Sequence, residues 1–435
     1  MAPGSLYLRA MTDASYDNQP IDILIAGAGY VGLSLGVALK RAAPHLSVRI
    51  VDAAPEGVWR RDGRASAIAE AASRMLSEMG LWERLLPHAQ PITEMVVTDS
   101  RASDPVRPVF LTFGTIDGGP TAPGPFAHMV PNVELNGALR DAAGSLGVEI
   151  EQGVGVEAFE TGDAVTTVTL SNGESVAARL LCAADGVRSR LRTMAGIRTV
   201  EWRYGQSGIV CTVRHERPHG GRAEEHFLPA GPFATLPLKP IEKDGETIHR
   251  SSLVWTERTE DAERLIADDF LFEIELEQRF GLRLGKVETE GTPRAWPLGL
   301  TLARDFVRPR LALVGDAAHG IHPIAGQGLN LGFKDVAALA ETIVEASRLG
   351  RDIGALDVLE RYQRWRRADT VLMGATTDVL NRLFSNDSRL LRAARTFGLG
   401  VVDRIPAAKK FFIDQAAGRV GLAAEQPRLL RGEAL

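Results

Sequence analysis

The apolar positions change period twice in the first fifty residues. Ile21, Ile23, Leu24, Ile25 and Ala26 form a short, β-branched run that reads as a buried parallel strand. Leu33, Leu35, Val37, Ala38 and Leu39 then follow a helical pattern, and residues 47–51 return to a strand that Asp52 ends. Two later apolar runs also read as buried strands. Residues 180–184 precede Asp185-Gly186, and residues 311–314 precede Gly315-Asp316. A helix is expected over about 333–348, with Val336, Leu339, Ala340 and Ile343 on one face. Between about 200 and 295 the pattern alternates, at 207–214, 222–228 and 251–256, which predicts an antiparallel sheet. Helical spacing returns at Leu372, Thr376, Val379, Leu380, Leu383 and Phe384.

Composition narrows the class without naming an activity. The 435 residues exceed what one ordinary core needs, so two or three domains, or one large domain with an insert, are expected. With 45% hydrophobic and 24% charged residues, the chain reads as soluble and globular, which excludes a disordered tail, a collagen or a coiled-coil rod. A net charge of -5 gives no mark of a nucleic-acid binder. Cys182 and Cys211 form neither a disulfide framework nor a zinc spacing, in keeping with a reducing cytosolic setting. Residues 1–20 lack a basic region followed by an apolar core, so they read as a flexible leader, with Met11 an alternative start. The uncharged stretch from Ile23 to Leu39 approaches membrane-span length, but its glycines have another explanation.

That explanation is Gly27-Ala28-Gly29-Tyr30-Val31-Gly32, placed between the first strand and the first helix. Gly27 allows a tight turn, Gly29 lets backbone approach a pyrophosphate, and Gly32 lets helix and strand pack closely. The helix N-terminus offers free N–H groups to phosphate oxygens. Asp52, 20 residues past Gly32, can accept from a ribose hydroxyl. Gly32-Leu33-Ser34-Leu35-Gly36 matches a nucleophile elbow, but Ser34 falls within the helix after the turn is complete, so a hydrolase is rejected. Asp316, His319 and His322 form a D-x-x-H-x-x-H string; Gly315, Gly320 and Pro323 break the rigid face that a metal would need. His319 is read as packed or hydrogen-bonded, and no metal is expected.

The three motifs, in this order across residues 20–415, resemble the FAD-dependent aromatic hydroxylases (class A flavoprotein monooxygenases). The resemblance implies an α/β fold: a Rossmann-type FAD-binding domain, an antiparallel β-sheet substrate domain and C-terminal helices, hydroxybenzoate-hydroxylase-like. It implies that Asp185-Gly186 lies near the pyrophosphate and that Gly315-Asp316 holds the ribityl chain through Asp316, which can also cap the following turn. Gly326-Gln327-Gly328 would bring backbone N–H groups to the flavin pyrimidine edge; Gln327 has an ordinary capping role as its alternative.

Four stretches are similar to the ubiquinone-biosynthesis hydroxylases within that family. They are residues 62–68, with Arg64 expected beside flavin and pyrophosphate; Trp296-Pro297-Leu298; residues 322–332, which contain Pro323, Gly326, Gln327, Gly328 and Asn330; and residues 383–387. Asp52 stands where that branch more often has glutamate, and Asn132 is not followed by its frequent arginine. The expected FAD-binding domain is discontinuous: 21–90, 125–200 and 295–345. Residues 91–124 and 201–294 form the substrate domain, and 346–435 a C-terminal helical segment. Phe227, Phe233 and Trp255 are candidates for the substrate wall, each equally readable as sheet core. No catalytic base is assigned.

By resemblance, NADPH or NADH reduces FAD, O2 adds to give a flavin C4a-hydroperoxide, and one oxygen is transferred to the ring of a polyprenylated phenol in ubiquinone biosynthesis. The protein orients the ring and excludes water. The alternatives are hydroxylation of a small soluble phenol or aryl acid, for which Arg214 or Arg222 would meet a carboxylate; a catalytically silent flavin-binding assembly subunit; and a flavoprotein reductase. Residues 361–419 carry twelve Lys/Arg against five acids, a local +7 on a remainder of -12. This basic helical stretch reads either as a helix packed on the FAD domain or as a surface for anionic lipid or quinone-biosynthesis complex proteins. The expected setting is cytoplasmic and peripheral to the inner membrane.

Overall fold

The computed structural model describes residues 19–100, 107, 109–114, 124–322, 327–385, 417–418 and 426–435. The expected first strand, Ile21–Ala26, lies inside an eight-stranded sheet. It runs parallel to Val48–Asp52 on one side and to Ser175–Ala183 on the other. Leu311–Leu313 adds a parallel strand beyond Ser175–Ala183, and Glu149–Gln152 adds one beyond Val48–Asp52. Such strands are covered on both faces, so they are apolar throughout: Ile23, Leu24, Ile25, Leu180, Leu181, Cys182 and Ala183 are all fully buried. Burial also pushes the Cys182 thiol far up, so it is inert packing.

Register explains why three distant motifs meet. Ala26 pairs with Ala183, and Ala183 with Leu313. The carboxyl ends of these strands therefore lie side by side, and the turns that follow carry Gly27–Gly32, Asp185-Gly186 and Gly315-Asp316 to one edge. That edge is where open α/β sheets bind ligands. The helices Tyr30–Ala42 and Gln327–Arg348 cover the sheet beside it. The second begins six residues before the expected 333, directly at Gln327.

The second eight-stranded sheet comprises Glu94–Asp99, Val109–Gly114, Thr199–His215, Arg222–Leu228, Gly231–Lys243, Glu246–Arg258, Val287–Ala303 and His319–Gly320. The strand Val287–Ala303 runs unbroken across the domain boundary expected at 295. Alternation gives the sheet two distinct faces. Ile209, Val213, Phe233, Leu253 and Trp255 pack outward against Ala262, Leu265, Phe272 and Leu276, on the helices Thr259–Ile266 and Asp269–Phe280. Met95, Val97, Ala223, Phe227 and Leu238 turn the other way, toward Ala65, Ala67, Met129 and Phe384.

The helix Leu356–Phe384 packs differently from the face expected at 372–384. Leu380, Leu383 and Phe384 enter the core, while Leu372, Thr376 and Val379 stay exposed. The reason is that between 366 and 381 its buried side is polar apart from Gly374: Arg366, Asp369, Thr370, Thr377 and Asn381. Most of the basic stretch beyond it lies outside the described residues. Among the described residues, no helix is long and apolar enough to cross a membrane.

Candidate active site

The glycine turn is held by contacts that admit no side chain at two points. Gly27 has φ +114°, and a Cβ there would lie 2.2 Å from the Ala184 carbonyl oxygen. A Cβ on Gly32 would lie 1.9 Å from the carbonyl oxygen of Gly27. Gly29 is the opposite case: its Cβ would meet nothing within 4 Å, and it caps the helix Tyr30–Ala42 with no side-chain bond. An open cradle over uncapped helix N–H groups fits a phosphate. Asp52 stands beneath it, accepting from the Ala28 and Ala54 N–H groups at 2.7 Å each. Each carboxylate oxygen keeps a lone pair for a ribose hydroxyl. Arg140 donates to the Ala28 carbonyl at 3.1 Å and lies over the Trp59 ring. Neither residue belongs to a motif, which is why the sequence reading missed them.

Arg64 is held rather than loose. It forks onto Asp62 with two bonds of 2.8 Å, and its guanidinium lies 5.4 Å from the Trp296 ring centroid. Tyr30 Oη and Asn132 Nδ2 also donate to Asp62, at 2.8 and 3.0 Å. Burial disfavours the Asp62 charge, but the donors from Arg64, Asn132 and Tyr30 outweigh it and hold the carboxyl at about 2. The Asn132 carbonyl oxygen accepts from Ser66 at 2.7 Å. Asn132 therefore positions Arg64 through Asp62. Tyr30 also lies within hydrogen-bonding reach of the Arg64 guanidinium, so one cluster fixes both side chains.

Asp185 caps the helix Arg190–Met194 with one oxygen, accepting from the Leu191 N–H at 3.2 Å. Its Oδ1 is enclosed and has no partner, an orphan that a bound group would satisfy. Gly186 beside it has φ +82° and open space over its Cα. Arg192, the buried one of three nearby arginines, donates to the carbonyls of Ala317 and Val187 at 2.8 Å each. It thereby ties this turn to the Gly315-Asp316 turn. Asp316 opens to solvent at the cleft while protein crowds round it; that crowding raises its pKa, Asp335 adds to it, and His319 and Arg64 oppose it.

A buried ionic network supports the Gly315 turn. Asp335 accepts from the Gly315 N–H at 3.0 Å, lies 2.5 Å from His319 Nε2 and accepts from Arg366 Nε at 2.8 Å. Arg366 also donates to Asp369 at 2.8 Å. Burial works against the Asp335 charge, but His319 and Arg366 outweigh it and lower its pKa. His322 is fully buried, hydrogen-bonds on neither nitrogen and meets Tyr204 edge-on, so burial drives it down to about 4 and it stays neutral. Asn330 clamps the strand Ala65–Ala69, donating to the Ala67 carbonyl and accepting from the Ala69 N–H. Gly328 faces open space near the start of its helix. Gln327 opens that helix, while Pro323 and Gly326 lie outside the described residues.

The substrate-wall candidates separate. Phe227 lies on the cleft side and stacks on Phe384 at 4.1 Å. Phe233 and Trp255 do not: their register places them on the outer face, where they pack against each other and Phe272. They are core, and the cleft side of the same strands presents Ala234 and Leu236 beside Val254. Arg214 lies 3.8 Å from Glu290 and Arg222 3.0 Å from Glu224, so both are already paired.

A family described as FAD binding domain matches residues 20–372. The chain is 44% identical to the ubiquinone hydroxylase UbiL of Rhodospirillum rubrum, over 94% of this chain and 92% of that protein. It is 32% identical to the 3-demethoxyubiquinol 3-hydroxylase of Escherichia coli, over 92% of this chain and 99% of that one. The solved structure of p-nitrophenol 4-monooxygenase PnpA from Pseudomonas putida covers 94% of this chain with TM-score 0.75 at 18% identity, a likeness of fold. With its three glycine and aspartate turns in register at one sheet edge, the chain belongs to the FAD binding domain family, in the ubiquinone-biosynthesis branch of the FAD-dependent aromatic hydroxylases.

Proposed function

We propose that this chain is an FAD-dependent monooxygenase that hydroxylates the aromatic ring of a polyprenylated phenol on the route to ubiquinone. The observation that carries the reading is the alignment of the three turns at one sheet edge, with the apolar face of the second sheet packed on Ala65 and Ala67 next to Arg64. Gly29 and the helix N-terminus would hold the pyrophosphate, Asp52 the adenosine ribose, Asp316 the ribityl chain, and Arg64 and Asp185 the groups between. When bound, FAD supplies electron transfer and oxygen activation. The protein's share is to orient the ring against Phe227, Phe384 and Ala65 and to keep water from the reacting atoms. NADPH or NADH is the proposed reductant.

The two arginines that would meet the carboxylate of a small aryl acid, Arg214 and Arg222, are both paired with glutamates. An apolar cleft suits a prenylated ring better. Such a substrate resides in lipid, so a peripheral place at the inner membrane, or in a complex with other quinone-biosynthesis proteins, belongs to the same proposal. Lipid extracts of a strain lacking this chain test it. A hydroxyl-deficient prenylphenol should accumulate and disappear on complementation; an unchanged ubiquinone pool with no such intermediate contradicts it.

A further inference from the structure

One carboxyl group interrupts the apolar face that the second sheet turns toward Ala65, Ala67 and Phe384. Glu225 lies in the strand Arg222–Leu228, between Ala223 and Phe227 on the side that faces Ala65, Ala67 and Phe384. Its register partners are Val97 and Ala234. The residue is 4% exposed, and its Oε1 is enclosed without a hydrogen-bond partner. Among the described residues no ion pair approaches the carboxyl, and burial raises it to about 7. Among the described residues that share its face on the adjoining strands (Met95, Val97, Asp99, Pro232, Ala234 and Leu236), only Asp99 carries an ionisable side chain. Leaving such a group unpaired is costly, and a ligand that donates to it removes the cost.

We propose that Glu225 is a catalytic residue: its carboxylate accepts the hydrogen bond of the substrate's phenolic hydroxyl and takes that proton. The inference rests on the functional reading above. The phenol O–H bond breaks and a carboxyl O–H bond forms. The electron pair stays on the phenolate oxygen, enriching the ring carbons ortho and para to it, which favours attack on an electrophilic oxygen. The step consumes no oxidant, and the proton returns to the product's oxygen. The apolar wall serves the same end, since a carboxylate kept from water is a stronger base.

The test uses the FAD-loaded protein with a short-chain prenylphenol and its methyl ether. The absorbance of bound phenolate and the hydroxylation turnover are followed against pH. In the wild type both should rise with pH near neutrality. Glu225→Gln should keep FAD and bind the methyl ether unchanged, yet lose the pH step and turnover by about 100-fold or more, the range of general-base catalysis. Glu225→Asp should restore the step with lower turnover. A Glu225→Gln protein that matches the wild type in turnover and pH profile overturns the proposal alone. A wild type that neither binds nor hydroxylates the phenol brings down the functional reading and the proposal with it.

Discussion

Two glycines three residues apart make opposite predictions. Gly32→Ala drives a methyl into the Gly27 carbonyl, so the FAD-free protein should lose about 1–3 kcal/mol in urea unfolding. Gly29→Val meets open space at an extended backbone, so its unfolding should shift by less than about 0.5 kcal/mol while FAD retention falls. Equal destabilisation of the two would contradict the division of roles. Glu225 gives a pH prediction with a definite sign. Its folded pKa is raised, so the native state binds the proton more tightly, and stability declines as pH rises from the usual glutamate range toward about 7. Unfolding of Glu225→Gln should lack that decline. Asp62 is the reverse case: its depressed pKa adds stability that is full above the usual aspartate range and lost as pH falls through about 2. The glycines and acids of the three turns were legible because their spacing is fixed by turns. Glu225 was not, because a glutamate in an alternating strand looks like any solvent-facing position until the register shows which face it takes.

Elements were legible where a period ran cleanly. The strand Ile21–Ala26 forms where the apolar run predicts it, and Arg222–Leu228 matches its alternation. The helix Leu356–Phe384 resisted, because ion pairs to Asp335 and Lys334, beside the apolar Val358, Leu359 and Tyr362, seat it on the helix Gln327–Arg348. Periodicity cannot see such pairing, and an arginine in a basic run reads as solvated until Arg366 is found buried against Asp335 and Asp369. Removing one partner from a buried pair leaves the other charge uncompensated. Asp335→Ala should therefore lower stability by about 3–5 kcal/mol in thermal or urea unfolding, and a double-mutant cycle with Arg366→Met should be strongly non-additive. Additive losses would show that the network does not act as a unit. The same positions explain how the Gly315 turn is held, since Asp335 reaches its N–H directly. The strand faces explain the correction at Phe233 and Trp255: composition marks an aromatic as buried but not on which side of a sheet.

At the scale of the molecule, the Gly315 turn joins the two sheets: it follows the parallel strand Leu311–Leu313 and leads into His319–Gly320 of the second sheet. Much of this layout follows from motif order; the long, unbroken strand Val287–Ala303 and the tie from Trp202 to Asp378 do not, because they depend on non-local packing. The described part of the basic C-terminal stretch spends Arg361, Arg364, Arg366 and Arg382 on acidic partners. Any lipid attraction must therefore come mainly from the rest, and it should appear as vesicle co-sedimentation with anionic lipid that weakens with salt. Absence of binding at low salt would remove the membrane-surface proposal. Oxygen transfer from the FAD site to a prenylated phenol can be followed with no nicotinamide present. The FAD-loaded protein is photoreduced under anaerobic conditions, then mixed with isotope-labelled O2 and a short-chain prenylphenol, and the products are read by mass spectrometry. One labelled oxygen on the aromatic ring is the predicted result, lost in Asp316→Ala in proportion to its lost FAD. Reoxidation that leaves the phenol unlabelled while the substrate is bound would contradict the account.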